Sequence, residues 1–160
     1  MANEVNLTKA KQVYQDFCAM MDNAGWNYQK EEEKLTIKAG ARGDDLPMDL
    51  IIKVDAERQV VRVISFMPYT IAEDKRLDVA VAVSVVNNSL VSGYLDFDIA
   101  EGNLIFRMTN SYRDSLLGRE VYKFLLYAAC HAIDDFNDQF LMLSKGIISL
   151  EQFIEQYSKK

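Results

Sequence analysis

From Leu7 to Ala24 the apolar positions Leu7, Ala10, Tyr14, Phe17, Met21 and Ala24 advance in steps of three and four. That spacing lays one stripe along one side of a helix, with Asn6 placed to cap its first turn and Gly25 to end it in a left-handed conformation. The period then drops to two. Trp26 and Tyr28 alternate with polar residues, Leu35, Ile37 and Ala39 do the same, and Glu31-Glu32-Glu33-Lys34 between them predicts a solvated turn. Beyond the loop from Gly40 to Pro47, two β-branched runs, Met48 to Val54 and Gln59 to Phe66, flank Asp55-Ala56-Glu57-Arg58. This is a hairpin pattern, which Met67-Pro68 is expected to close.

The run from Leu77 to Val86 (LDVAVAVSVV) reads in two ways. Val79, Val81, Val83 and Val85 alternate with small residues, as in a strand. Its borders say helix: Thr70-Ile71-Ala72-Glu73 fits a capping box, and Glu73 and Asp74 would complement the helix dipole. At helical spacing Val79, Val83, Val86 and Leu90 share a face, Ala80, Ala82 and Ser84 permit close packing on the sheet, and Asn87 or Asn88 would tolerate a left-handed end. Valine costs only a few tenths of a kcal/mol in helix propensity, less than burial of the face returns. The borders decide for a helix.

After Gly93, Leu95 and Phe97 alternate with Asp96 and Asp98, and a turn at Ala100-Glu101-Gly102-Asn103 leads into Leu104 to Thr109, a second hairpin. A long helix is expected over 119–143, with Val121, Leu125, Ala128, Ala132, Phe136 and Leu143 on its apolar side and Gly146 ending it. Ser149-Leu150-Glu151-Gln152 is a further capping box, opening a short helix with Leu150, Phe153, Ile154 and Tyr157. The fold class is therefore α+β, one domain over 1–160: an antiparallel sheet with helices packed on one side, in the order α-ββ(ββ)-α-ββ-α-α.

Composition narrows the function classes. A net charge of −6, with 18 scattered Lys and Arg, argues against nucleic acid and against an anionic membrane surface. The N-terminal MANEVNLTKA has neither the basic nor the apolar region of a secretory signal, and the uncharged run from Val79 to Leu95 is broken by Asn87-Asn88-Ser89 and Gly93. The expectation is a cytoplasmic protein in which Cys18 and Cys130 are buried thiols.

Candidate chemistry is sparse. His131, Asp134 and Asp138 project within one arc of the long helix and could reach a common cation, but one helix leaves coordination incomplete and no HxxxH, ExxH or CxxC element supplies partners. A solvated acidic face explains them as well. His131 is the sole histidine, no GxSxG elbow accompanies it, and Cys130 points about 100° away from it on a helix. Asp44 and Asp45 would repel a phosphate from the Gly40–Asp45 loop, and Arg42-Gly43-Asp44 matches an adhesion tripeptide by letter only. Trp26, Tyr28, Tyr94 and Phe97 could form a stacking platform, although their alternation fits core packing better. No catalytic, cofactor-binding or metal-binding residue is assigned, and no cofactor is expected.

The segment Asn88-Ser89-Leu90-Val91-Ser92-Gly93-Tyr94-Leu95-Asp96-Phe97-Asp98, followed by Gly102-Asn103-Leu104-Ile105-Phe106-Arg107, resembles the signature of the bacterial YbjN-domain family. The matching features are an asparagine ending the middle helix (Asn88), a glycine before the next strand (Gly93), a turn glycine (Gly102) and an aromatic-arginine pair (Phe106-Arg107). Trp26, Asp135-Phe136 and Gly146-Ile147-Ile148-Ser149 fit as well, so the resemblance spans Leu7 to Phe153. Ala100-Glu101-Gly102 departs from it, since family members often carry aspartate directly before the glycine. The resemblance implies a fold like that of the type III secretion chaperones and a role as a sensory transduction regulator, a label that names no chemistry. It also implies an unidentified protein partner and a homodimer. The expected function is thus non-enzymatic protein binding, regulatory or chaperone-like. The competing expectation is a small-ligand binder or enzyme with a pocket between the sheet and the helix over 119–143, using His131 or Tyr127.

Overall fold

The computed structural model describes residues 4–44 and 46–158, so Asp45 and both extreme termini lie outside the described residues. Among the described residues the chain forms four α-helices, α1 (Glu4–Asn23), α2 (Arg76–Asn87), α3 (Arg119–Ser144) and α4 (Leu150–Ser158). Six strands accompany them: β1 (Tyr28–Glu31), β2 (Thr36–Arg42), β3 (Pro47–Asp55), β4 (Val60–Thr70), β5 (Tyr94–Asp98) and β6 (Asn103–Ser111). They make one antiparallel sheet in the order β1-β2-β3-β4-β6-β5, in which β6 is inserted between β4 and β5. The Leu77 to Val86 run is helical, as expected, although its border signals act differently from the reading. Val79, Ala82, Val83 and Val86 are buried, and Asp78 sits in the first turn where the dipole favours it.

Several local signals work as read. Gly25 and Gly146 are both left-handed, and each ends its helix in a Schellman arrangement: the Trp26 N–H donates to the Met21 carbonyl, and the Ile147 N–H to that of Met142. The Ser149 backbone N–H donates to Gln152 Oε1 (2.8 Å) and the Gln152 N–H to Ser149 Oγ (3.2 Å), a complete capping box. Asp55 Oδ1 accepts from the Glu57 and Arg58 backbone N–H groups and so shapes the β3–β4 turn.

Other signals are overridden. Helix α1 already runs at Glu4, so Asn6 lies inside it; its side-chain oxygen accepts from the Gln59 amide instead of capping. Strand β4 does not end at Met67-Pro68 but continues to Thr70. The register slips between Phe66 and Thr70, and that irregularity accommodates a proline that has no N–H to give the ladder. Thr70 is therefore a strand residue opposite Asn103, not a helix cap. The chain passes through a 3₁₀ turn (Glu73–Lys75) before α2 begins, and neither start has a side-chain cap. Asn88 is right-handed (φ −66°), and Gly93 supplies the left-handed turn instead. Of the small residues on α2, Ala82 is buried and Ala80 half-buried, while Ser84 faces solvent.

The core lies between the sheet and α1, α2 and α3. The buried arc of α3 is displaced from the expected one, carrying Tyr122, Leu125, Leu126, Ala129, Ala132, Ile133, Phe140 and Leu143. Val121, Ala128 and Phe136 flank it. Phe136 is half-buried because α4 covers it from the side, its ring 6.4 Å from that of Tyr157. Phe140 packs against Phe153 at 5.2 Å between ring centres, and each large buried side chain contributes roughly 1.5–3 kcal/mol. Four polar groups of buried residues are stranded among the described residues of this core: the Tyr14 and Tyr122 hydroxyls, Ser65 Oγ and Asn137 Oδ1 have no hydrogen-bond partner. Ser65→Ala removes an unpaired hydroxyl at little cost in volume, and a gain of about 1 kcal/mol in urea unfolding is expected.

Candidate functional site

Alternation along the strands leaves the second face of the sheet outside the core. Residues at Leu50, Ile52, Val54, Val61, Val63, Leu104, Phe106 and Met108 point into the helices and are buried, while their neighbours on the other face are exposed or half-buried. Register then assembles the outer face in rows. Ile51 lies opposite Ile64, Ile64 opposite Arg107, and Arg107 opposite Tyr94; beside that row Phe66 lies opposite Ile105 and Ile105 opposite Asp96. Ile51, Ile64, Phe66 and Ile105 thus form one apolar ridge across three neighbouring strands, each of them half-buried. Such a contiguous apolar surface marks interaction sites more often than a scattering of single residues does.

Charge frames the ridge in matched pairs. The Arg107 guanidinium donates to Asp96 at 2.7 Å and lies 5.9 Å from the Tyr94 ring centre, Arg62 meets Asp55 at 3.2 Å, and Lys38 meets Glu31. Burial by itself would raise the Asp55 carboxyl, but the Arg58 N–H and the Arg58 and Arg62 guanidiniums together outweigh it and hold the pKa below the usual range. A depression of about 420 Å³ sits at the end of the ridge, between Phe66, Ile105, Asn103, Asp96, Asp98 and Arg107. A second apolar feature lies on α2. Leu77 and Val81, one helical turn apart, are 75% and 46% exposed, and the only charges on the helix, Arg76 and Asp78, cancel.

The residues singled out as candidate ligands do not converge. Among the described residues no group of three His, Cys, Asp or Glu side chains could hold a metal ion. His131 and Asp138 face solvent, while Asp134 turns toward the β2–β3 loop, where a Cβ on Gly43 would overlap its carboxylate. Desolvation raises the Asp134 carboxyl above its usual range; the Asp44 N–H opposes this, the Asp44 charge adds to it, and His131 lowers it. An acid with a raised folded pKa binds its proton more tightly in the folded state, so its contribution worsens as pH rises through that pKa. Asp134→Asn is therefore expected to stabilise the protein at pH 7, with the gain shrinking as pH falls through the raised pKa. Thermal melts of both proteins across the acid range read this directly.

Among the described residues, the space between the sheet and α3, where the competing expectation placed a pocket, is occupied by the buried side chains of Tyr122, Leu126, Ala129, Ile133 and Phe140. Tyr127 lies outside it, 40% exposed, with its ring edge-on to Trp26 at 6.1 Å. Cys18 is buried and Cys130 half-buried; burial, then the nearby Asp134, pushes the Cys130 thiol up to about 11, which leaves little thiolate at neutral pH. Trp26, Tyr28 and Phe97 pack against the core as expected, but Tyr94 stands on the outer face over Arg107.

Asn88 caps the end of α2, as the resemblance implies, and the residue before it has a role that the sequence pattern does not assign: Asn87 ties α2 to the following strand. Its Nδ2 donates to the Leu95 carbonyl (3.0 Å) and its Oδ1 accepts from the Leu95 N–H (2.8 Å). The side-chain amide stands where a neighbouring strand would, on the open edge of β5. Seven residues separate Asn87 from Leu95, and no local pattern distinguishes it from Asn88.

Comparisons with known proteins give no match to a family model or to a curated protein. Solved structures do match. YbjN, a candidate transcription regulator from E. coli, superposes with a TM-score of 0.55 at 12% identity, over 75% of this chain and 87% of its own. A chain of the ExsC–ExsE complex does so with a TM-score of 0.59 at 12% identity, over 79% of this chain and 92% of its own. No helix among the described residues is long and apolar enough to cross a membrane. The chain has a YbjN-like, type III secretion chaperone-like α+β fold.

Proposed function

We propose that this protein is a single-domain, non-enzymatic binding module of the bacterial cytoplasm, regulatory or chaperone-like, that acts as a homodimer and docks a protein partner. The observation that carries the reading is the uncovered sheet face: an apolar ridge of Ile51, Ile64, Phe66 and Ile105 framed by ion pairs that are already matched. The framing charges are near balance, since Asp49 and Lys53 beside Ile51 are of opposite sign and the arginines are paired, and aliphatic and aromatic anchors in a charged frame are what a protein interface requires. The ExsC–ExsE complex is a precedent for a protein of this shape engaging a second one.

The homodimer has its own support. The exposed Leu77 and Val81 stripe is neutral on a chain of net charge −6, so two copies can approach there without the repulsion that other surfaces would impose. Ile51→Lys with Ile64→Lys tests the sheet face, since both side chains point outward and the fold should survive. Proteins that the wild type retains on a column from a bacterial lysate are expected to be lost by the double variant. Retention of the same set at the same level contradicts the assignment.

A further inference from the structure

The charges around the sheet ridge are near balance in number but sorted in space. Along β3, Lys53 and Asp49 lie on opposite sides of Ile51, and all three belong to the outer face. Register places Lys53 directly opposite Arg62 of β4. Like charges facing each other across a sheet are destabilising. A single carboxylate serves the two arginines at this end: Asp55 meets Arg58 at 3.1 Å and Arg62 at 3.2 Å. Lys53 is exposed, and among the described residues no carboxylate comes within ion-pairing distance of it. This end of the ridge therefore carries surplus positive charge. The far end is acidic. The depression beside Phe66 and Ile105 is lined by Asp96, Asp98, Asn103 and Arg107. Arg107 is taken by Asp96, whereas Asp98 is exposed and no ion pair engages it among the described residues; its Oδ1 accepts from the Ala100 and Glu101 backbone N–H groups. Thr109, opposite Arg62, and Asn103, opposite Asp98, stand about 20 Å apart along β6, the rise of six extended residues.

We propose that the ridge docks an extended segment of a protein partner whose ends carry opposite charges, with a carboxylate at Lys53 and Arg62, a basic side chain at Asp98, and apolar residues between them on Ile51, Ile64, Phe66 and Ile105. Alternate residues of an extended chain point to one side, so seven residues span the distance and set four side chains on the face. A carboxylate between Lys53 and Arg62 offsets their mutual repulsion, and the sorted charges fix which end of the segment lies where. The inference rests on the sheet face being the docking surface and adds the charge order of what it takes.

The test uses the full-length protein and two capped heptapeptides, Glu-Ser-Leu-Ser-Leu-Ser-Lys and Gln-Ser-Leu-Ser-Leu-Ser-Gln, the second keeping the apolar pattern without the charges. In ¹⁵N-resolved NMR titrations both are expected to shift Ile51, Ile64, Phe66 and Ile105. The charged peptide is expected to bind about fivefold more tightly and to shift Lys53, Arg62 and Asp98 as well. Lys53→Gln, an exposed substitution outside the core, is expected to lower that advantage to about twofold. Equal affinities at the ridge, or an advantage that Lys53→Gln leaves intact, overturn the charge order while keeping the ridge as a docking surface. Shifts of neither peptide at the ridge overturn both readings.

Discussion

Gly102→Ala is expected to destabilise the protein by about 3 kcal/mol, lowering the midpoint of thermal unfolding by roughly 10 °C. Gly102 turns the chain between β5 and β6 with φ at +76°, a region that costs an L-residue roughly 1–2 kcal/mol. Space is the larger problem. A Cβ there would overlap the Ile71 carbonyl oxygen and crowd Arg76 Nε and Thr70 Cγ2 at 3.1 and 3.2 Å. The Ile71 oxygen is backbone and cannot swing aside. The Ile71 N–H donates to the Gly102 carbonyl at 2.8 Å, and the Arg76 guanidinium bridges the carbonyls of Ile71, Ile99 and Ala100. The turn is thereby bolted to the start of α2, and any shift of Gly102 is transmitted to both. Melting followed by far-UV circular dichroism reads the loss; a change under 2 °C would mean that the turn relaxes freely.

The second large effect belongs to Asn87. Asn87→Ala removes the two hydrogen bonds that hold Leu95, leaving its N–H and carbonyl on an open strand edge, and a cost of about 2 kcal/mol follows. Asn88→Ala, one residue on and exposed, is expected to stay within about 0.5 kcal/mol of wild type. The contrast between two adjacent asparagines separates the amide clamp from any general effect at the helix end. A further consequence is kinetic and colloidal: with Asn87 gone, β5 offers unpaired backbone groups to another chain, so the variant should aggregate faster on mild heating. Equal melting points for the two variants would contradict the clamp.

Much of the fold is legible in the residues, for reasons that are local. Helix ends announce themselves through Gly25, Gly146 and the Ser149–Gln152 box because the groups that satisfy one another are two to five residues apart. The Leu77 to Val86 run resolves to a helix because Val79, Ala82, Val83 and Val86 fall on one buried face, which outweighs the β preference of valine. Where local chemistry misleads, a distant partner has taken the residue. Thr70 and Glu73 have the spacing of a capping box, yet Thr70 is held in β4 opposite Asn103, thirty-three positions away.

The candidate surfaces were less legible still. Ile51, Ile64, Phe66 and Ile105 each look like ordinary strand residues, and only the insertion of β6 beside β4 lines them up. His131, Asp134 and Asp138 share an arc on α3, but the approach of Gly43 turns Asp134 away from the others, a contact that helical spacing does not contain.

The part of the proposal open to the most direct test is that the chain assembles with itself through the exposed Leu77 and Val81 stripe of α2. Light scattering coupled to size exclusion, run at micromolar concentration, tests it most directly. The wild type is expected at twice the 18.3 kDa chain mass, and Leu77→Glu with Val81→Glu, both exposed positions, at the chain mass with an unchanged circular dichroism spectrum. A wild type that runs at 18.3 kDa, or a double variant that remains at twice that mass, would contradict it.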